Sequence, residues 1–315
     1  MAVVKLSTSG LSNFAKYSSM LAGNAHFVPF FGAGYFAGGN PSSATVEKFA
    51  FPSDLRTTLA TGLSAATTFV AGMANSGVAG YTGGGGAYVS TVNKFAFPSD
   101  SRTTLGTGLS VARAELSGIQ NATVAGYFCG GYDGSNSSTV DKFAFPADSR
   151  TTLAAGLSVA RFGTGPMSNS SVAGYIAGGY STSRISTVDK FAYPSDSRTS
   201  LATGLSANAS GGGGMSNNSV AGYVAQGVAA AVTATVDKFA FPSDSRTTLG
   251  TGLSVARYQA MGMADSGTAG YFGGGRDSPT YTTVDKFAFP SDSRTTLGTG
   301  LASAKFHVAA FADES

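Results

Sequence analysis

The side chains that could act as acids, bases or nucleophiles occur in this sequence mainly as repeated sets. An Asp-Ser-Arg triplet recurs at Asp100 and Arg102, Asp148 and Arg150, Asp196 and Arg198, Asp244 and Arg246, and Asp292 and Arg294. A catalytic site needs a unique constellation of groups, whereas equivalent copies indicate a shared structural role. We therefore expect each Asp to cap a turn and each Arg to be packed. The Lys and Asp of a recurring V-D-K phrase are expected to be exposed strand charges or cross-strand pairs.

Few residues remain for metal or thiol chemistry. His26 and His307 are the two histidines, and closure of the chain ends could bring them close together. Because zinc sites usually have three or four protein ligands, we predict structural roles for both. Cys129 is the single cysteine, so an intrachain disulfide is excluded and a small buried hydrophobic residue is expected. We predict no catalytic residue, no metal site and no cofactor.

Composition excludes several classes of protein. Lys and Arg recur at fixed repeat positions without a basic run, and the net charge is +3, so we do not expect nucleic-acid binding. The chain start has no apolar stretch typical of a signal peptide, and the charge-free residues 199–236 are broken by Gly, Ser and Asn, so no membrane insertion is expected. Residues 83–86 and 211–214 are glycine runs without the Lys-Ser/Thr of a phosphate loop, which indicates turns.

Two phrases repeat along nearly the whole chain. The phrase T-V-D-K-F-A-F-P-S-D-S-R-T-T-L begins at residues 45, 91, 139, 187, 235 and 283, and A-G-Y-x-x-G-G places its Tyr at 35, 81, 127, 175, 223 and 271. Each unit is predicted to form four strands, a to d. In the last unit these are residues 258–263, 268–272, 282–289 and 294–297. A four-stranded unit of about 48 residues is typical of a propeller blade.

The fold class predicted is therefore all-β, a six-bladed β-propeller with four antiparallel strands per blade. An open β-solenoid is the alternative, although its coils are usually shorter and its end repeats need caps. The strand ending in Gly-Gly, the V-x-x-F-x-x-P strand, the T-x-x-L strand and the following small residues that end in Arg113, Arg161 and Arg257 resemble the kelch repeat of galactose-oxidase-like propellers. Departures from that pattern are Gln226 in place of Gly, and Thr67 and Ala209 in place of Arg.

The chain ends bear on how the ring closes. Residues 302–313 follow the sixth strand d as residues 254–265 follow the fifth, so residues 306–311 are predicted to add the innermost strand to the first blade. Closure by residues 3–11, which weakly echo strand d, is the alternative. We expect two parts: residues 1–31 as an N-terminal attachment arm and residues 32–315 as the propeller.

Variation between repeats indicates where a ligand could bind. The b–c loops differ from one unit to the next, and so do the a strands, as in residues 114–120 against residues 258–264. In a propeller the b–c loops share a face with the d–a connections, and variable loops on a rigid scaffold are a usual binding arrangement. The candidate ligand-binding residues are Tyr132, Asp133, Tyr180, Arg184, Arg276, Asp277 and Tyr281. The competing interpretation is that these loops are merely a tolerant surface.

Three functions remain open on the sequence. Residues 13–24 are similar to the start of some bacteriophage tail or fibre proteins, and nearly identical tandem blades resemble kelch-like phage and cyanobacterial proteins. That resemblance implies a non-enzymatic virion component, bound to other virion proteins through its N-terminal arm and facing a host glycan or protein. The same resemblance is compatible with a homo-oligomer. The alternatives are a cytoplasmic or cell-surface interaction scaffold and, third, an enzyme.

Overall fold

The computed structural model describes residues 32–313, which form 24 strands in six antiparallel sheets of four strands each. Strand a of each sheet lies next to the a strands of the neighbouring sheets, so the sheets are arranged as blades around a central axis. The predicted all-β, six-bladed propeller is confirmed. Within the described range there is no helix of the length and hydropathy needed to cross a membrane.

The strands follow the repeat closely. Strands b are Ala33–Ala37 (β1), Ala79–Gly83 (β5), Ala125–Cys129 (β9), Ala173–Ala177 (β13), Ala221–Ala225 (β17) and Ala269–Gly273 (β21). Strands c are Val46–Ala50 (β2), Val92–Ala96 (β6), Val140–Ala144 (β10), Val188–Ala192 (β14), Val236–Ala240 (β18) and Val284–Ala288 (β22). Strands d are Leu55–Thr58 (β3), Ser101–Thr104 (β7), Ser149–Thr152 (β11), Ser197–Ser200 (β15), Ser245–Thr248 (β19) and Ser293–Thr296 (β23). Strands a are Ala71–Asn75 (β4), Ser117–Asn121 (β8), Gly165–Asn169 (β12), Gly213–Asn217 (β16), Met261–Asp265 (β20) and Ala309–Asp313 (β24).

The C-terminal strand closes the ring. Strand β24 pairs antiparallel with β1 as the innermost strand of the first blade, with Phe311 opposite Tyr35 and their rings stacked at 5.0 Å. Closure from the C-terminus is therefore confirmed, although the strand begins three residues later than predicted. The alternative segment 3–11, the arm 1–31 and His26 lie outside the described residues.

The two glycine runs predicted to be turns are only in part turns, since residues 84–86 and Gly211 lie outside the strands while the other residues belong to them or adjoin them. Gly83 ends β5, and Gly213 and Gly214 begin β16. Gly83 lies against the ring of Phe128 in the next blade, 2.6 Å from where a Cβ would be. Gly213 and Gly214 are needed because the a strands approach one another closely at the axis. A Cβ added to Gly214 would lie 1.8 Å from the carbonyl oxygen of Pro166 in the neighbouring blade. Glycine is required there by the space, not by a turn.

Adjacent blades are joined by a repeated cluster that corrects the predicted role of the triplet Asp. At the fourth blade, Asp244 of the next blade accepts hydrogen bonds from the Tyr175 hydroxyl at 2.8 Å and from Lys190 Nζ at 2.6 Å, while the Tyr175 ring stacks on Phe241 at 5.2 Å. The same set recurs at every junction, including the one that joins the last blade to the first through Asp54. The Asp therefore bridges two blades through its side chain, beyond any capping of its own turn.

Of the two roles predicted for the V-D-K charges, exposure is wrong for the Asp, whereas the Lys is half-buried and pairs with an Asp of the next blade, as Lys190 does with Asp244. The Asp of this phrase is completely buried, as at Asp189, because each strand c is covered on both faces by neighbouring blades. Asp189 pairs with the equally buried Arg161, whose Nη2 lies 3.0 Å from Oδ2. Burial raises the pKa of Asp189, but hydrogen bonds from Ser200 and Ser158 and the charge of Arg161 outweigh burial and hold that pKa below its usual value.

Candidate ligand-binding face

One end of the propeller carries both the b–c loops and the d–a connections, and we call it the loop face. Backbone bridges join the two kinds of segment directly: Tyr132 pairs with Ala114, and Tyr180 pairs with Phe162. The loops are therefore held by the connections that lead into the inner strands. This arrangement fixes the positions of side chains that vary from blade to blade.

A ring of backbone groups surrounds the axis on the loop face, and we call it the mouth ring. It consists of the second residue after each Arg-equivalent position: Phe69, Glu115, Gly163, Gly211, Gln259 and His307. All six have left-handed backbone conformations, with φ between 52° and 67°. Five successive N–H groups donate to the carbonyl of the preceding ring member at 2.7 to 3.3 Å. The remaining junction is bridged by the rings of Phe69 and His307, 4.4 Å apart.

Below the mouth ring the axial channel is narrow. The cavity between the a strands has a volume of about 60 Å³ and is lined by glycine, small residues and the Met side chains of strands a. A wider cavity of about 140 Å³, rich in serine, opens at the opposite end. Ligands of the usual size need about 300–1,000 Å³, so the channel is too small and the loop face is the better candidate.

Two larger cavities lie side by side on the loop face. The larger has a volume of about 460 Å³ and the smaller about 260 Å³, and both are bounded by Glu115 and Phe162. Together they form a groove across the second to sixth blades, which we call the loop-face groove. Its walls combine aromatic rings with polar side chains, the arrangement that is usual in ligand sites.

Aromatic side chains form a continuous row along one part of the groove. Tyr132 lies between Tyr88 and Phe162, with ring centroids 5.9 and 5.6 Å apart, and Phe162 contacts Tyr180 at 5.6 Å. Tyr88 and Tyr180 are exposed. Tyr132 and Tyr180, which the sequence proposed separately, are thus brought together by Phe162, which it did not propose.

Two predicted residues line the larger cavity. Arg184 and Asp277 approach it from loops of different blades, and both are exposed. No hydrogen bond or salt bridge joins the Arg184 side chain to another described residue. Asp133, in contrast, is occupied within its own loop, because its Oδ1 accepts hydrogen bonds from the Ser135 N–H at 3.1 Å and the Ser135 hydroxyl at 3.0 Å.

Arg276 and Tyr281 are held by the scaffold. The Arg276 guanidinium lies 4.4 Å from the Phe306 ring and 5.0 Å from the Tyr258 ring, and it donates a hydrogen bond to the Tyr258 hydroxyl. Tyr281 is half-buried, and its N–H donates to the Gly275 carbonyl at 2.9 Å. Neither residue lines the loop-face groove directly. Arg276 instead fixes Tyr258, which does.

Glu115 and His307 are the titratable members of the mouth ring. Their Oε2 and Nε2 atoms lie 3.9 Å apart. Burial raises the pKa of Glu115 to about 7, whereas burial and the nearby Arg276 lower the pKa of His307 to about 3. His307 is therefore neutral near pH 7, so this contact is not an ion pair there despite the short distance. Among residues 32–313, no group of three or more His, Cys, Asp and Glu residues is placed to hold a metal ion.

Sequence reasoning missed the mouth-ring and connection residues. Glu115, Phe162, Tyr258 and Gln259 all lie in the d–a connections, whereas the site was sought in the b–c loops. A signal was present, because residues 114–120 and 258–264 differ strongly between otherwise similar repeats. The positions immediately after Arg113, Arg161 and Arg257 carry that variation into the groove.

Comparison with known proteins identifies a shared fold but no family. No protein-family model and no curated protein matches the sequence. Among solved structures, that of a protein named YjhT matches with a TM-score of 0.65 and 12% identity, over 85% of this chain and 97% of its own. An identity of 12% carries information on the fold alone, because one fold supports many unrelated functions. The chain thus shares its propeller architecture with YjhT.

Proposed function

We propose that this protein is a non-enzymatic, kelch-type recognition propeller that binds its ligand with the loop face. The observation that carries this proposal is that the repeated and the unrepeated side chains have different roles. Repeated Tyr, Lys and Asp side chains join the blades and repeated Arg side chains pair with buried Asp, whereas unrepeated residues such as Arg184 and Phe162 line the groove. Variable groups displayed by an invariant frame are typical of binding proteins.

The biological setting we propose is a bacteriophage particle, with the propeller on a tail or fibre. Residues 13–24 support this setting by their similarity to the start of some phage tail proteins. In that setting residues 1–31 would attach the propeller to other virion proteins, and the loop face would contact a host glycan or protein. Mass spectrometry of purified particles tests the setting: we expect stoichiometric amounts of this chain, and its absence would favour a cytoplasmic or cell-surface scaffold.

The binding role is tested separately from the setting. Residues 132–138 and 276–282 are replaced by Gly-Ser loops of equal length, and binding to a glycan array and to host-surface protein extracts is measured. We expect both replacements to abolish the signal of the unaltered protein. Val124→Ser and Val172→Ser are matched controls, because these exposed valines lie in a–b hairpins on the opposite face. Binding that survives both loop replacements would contradict the role.

A further inference from the structure

The larger cavity lies where neighbouring members of the mouth ring have no side chains. Four of its members carry side chains, whereas the neighbouring members Gly163 and Gly211 carry none and lie against the cavity. A Cβ added to Gly211 would point toward Tyr258 and Gln259, at 3.4 to 3.6 Å, so a side chain there would enter the cavity. Two adjacent glycines in a ring of otherwise larger residues thus leave room for a ligand of moderate size.

The polar side chains of this cavity include both hydrogen-bond acceptors and donors, the donors including Arg184, Ser210 and Ser278. Glu115, Asp277 and Gln259 contribute carboxyl or amide oxygens, and Gln259 Oε1 is buried without a hydrogen-bond partner among the described residues. A buried polar atom of this kind costs free energy unless a ligand or water satisfies it. A ligand that complements the cavity must therefore carry several donors for these oxygens together with acceptors for Arg184 and the serine hydroxyls.

The charges and aromatic rings of the cavity further restrict the class of ligand that it can bind. Arg184 offsets one carboxylate within the cavity, and the raised pKa of Glu115 leaves that group partly neutral near pH 7. The cavity thus has little net charge to attract an ion. Phe162 and Tyr258 contribute aromatic rings to its walls, and further rings continue along the smaller cavity through Tyr132 and Tyr88.

We propose that the loop-face groove binds a neutral oligosaccharide, with one sugar ring in the cavity above Gly163 and Gly211. A sugar ring has an apolar C–H face that packs on aromatic rings and several hydroxyl groups that donate hydrogen bonds, which matches the walls described. The second cavity, reached past Glu115 and Phe162, holds the adjoining sugar. This inference rests on the proposed recognition role of the loop face and names its ligand class.

The full-length protein is titrated with neutral hexasaccharides of glucose, galactose, mannose and N-acetylglucosamine, and with carboxylated hexasaccharides. Calorimetry gives the affinity, and tyrosine fluorescence reports the groove, since the chain has no tryptophan. We expect at least one neutral saccharide to bind. Phe162→Ala should weaken that binding about tenfold, as loss of an aromatic anchor usually does.

Gly211→Asn is the sharper variant because it fills the cavity without straining the ring. Four ring members already hold side chains in the same left-handed conformation, and Asn tolerates it well. We expect it to abolish binding with an unchanged Tm. Gly267→Asn is its matched control, since Gly267 has φ of 81° on the opposite face and nothing within 4 Å of an added Cβ.

Two results would overturn the inference. One is a preference for carboxylated saccharides, and the other is neutral-saccharide binding that Gly211→Asn leaves intact. Either result leaves the recognition role standing if the loop replacements still abolish binding. If neither saccharides nor host proteins bind in a way that depends on the loop face, the proposed function itself fails.

Discussion

At the scale of single residues, buried charge is matched blade by blade. Where Ala209 replaces the usual Arg, the neutral Gln226 donates a hydrogen bond to Asp237 at 2.6 Å, and Arg246 Nη1 lies 3.6 Å from the other carboxylate oxygen. Where Thr67 replaces Arg, the position of the buried Asp is occupied in the second blade by the neutral Asn93. The first blade uses Lys305 with Glu47, 2.9 Å apart. These departures from the repeat are therefore compensations, because an unpaired buried charge is strongly destabilising.

Copying the second blade into the fourth tests this explanation. Arg161→Thr alone removes the buried partner of Asp189 and leaves only the longer contact with the half-exposed Arg198, at 3.7 Å, so we expect a loss of about 3 kcal/mol in the free energy of unfolding. The double variant Arg161→Thr with Asp189→Asn reproduces the pair Thr67 and Asn93 and should recover part of that loss. Urea unfolding of both variants measures the difference. A double variant less stable than the single one would contradict the explanation.

Tyr193 offers a second test at this scale. The other blades have Phe before the same Pro, whereas the Tyr193 hydroxyl is buried and has no hydrogen-bond partner among the described residues. We expect Tyr193→Phe to stabilise the protein by about 1 kcal/mol, because it removes an unsatisfied polar atom and keeps the stacked ring. Thermal unfolding measures the gain. Tyr175→Phe is the control: it removes a bonded hydroxyl and should lower the Tm.

At the scale of elements, the closing strand β24 has the clearest role. Phe311 stacks on Tyr35 within the first blade and fills the space above Gly80 in the second, where a Cβ would lie 2.1 Å from its ring. Its counterparts in most other blades are methionines, such as Met73 and Met263. The strand therefore completes one sheet and also wedges into the next.

Deletion of residues 309–315 removes this strand and leaves Lys305 in place. We expect a lower Tm than that of Phe311→Ala, which by itself should cost about 3–5 kcal/mol. We also expect concentration-dependent association, because β1 would present an unpaired edge. Calorimetry and light scattering measure the two effects. Deletion of residues 314–315 alone is the control, and a truncated chain with an unchanged Tm would contradict closure by this strand.

How accurately each strand could be located from the sequence depended on the residues that flank it. Strands b and c were located to within two residues at either end because Gly-Gly and Pro limit them. Strand a was placed too early in the last blade, because Gln259 belongs to the mouth ring and takes a left-handed conformation. The groove could not be derived, since it depends on which blades bring Phe162 and Arg184 to one place.

At the scale of the whole molecule, the six Tyr-Lys-Asp junctions make the ring a cooperative unit. Burial raises the pKa of the six strand-b tyrosines well above that of a free tyrosine, and the hydrogen bonds to Asp raise it further. Because the folded state then keeps protons that the unfolded state loses, stability falls as the pH rises above 10. All six junctions should fail together.

An alkaline titration tests that cooperativity. Phenolate absorbance and circular dichroism are followed on one sample, and we expect the strand-b tyrosines to ionise in a single step that coincides with loss of β structure. Gradual ionisation of the strand-b tyrosines before unfolding would show that the junctions open independently.

The bridging Asp also has a consequence for how such a chain can diversify. Each unit supplies Tyr and Lys to the unit after it and receives the same pair from the unit before it. Every junction is therefore interchangeable in its chemistry. Recombination between the near-identical repeats can swap one unit for another as a cassette, altering the displayed loops while the joints stay intact. New binding specificities can then arise while the residues that join the blades are unchanged.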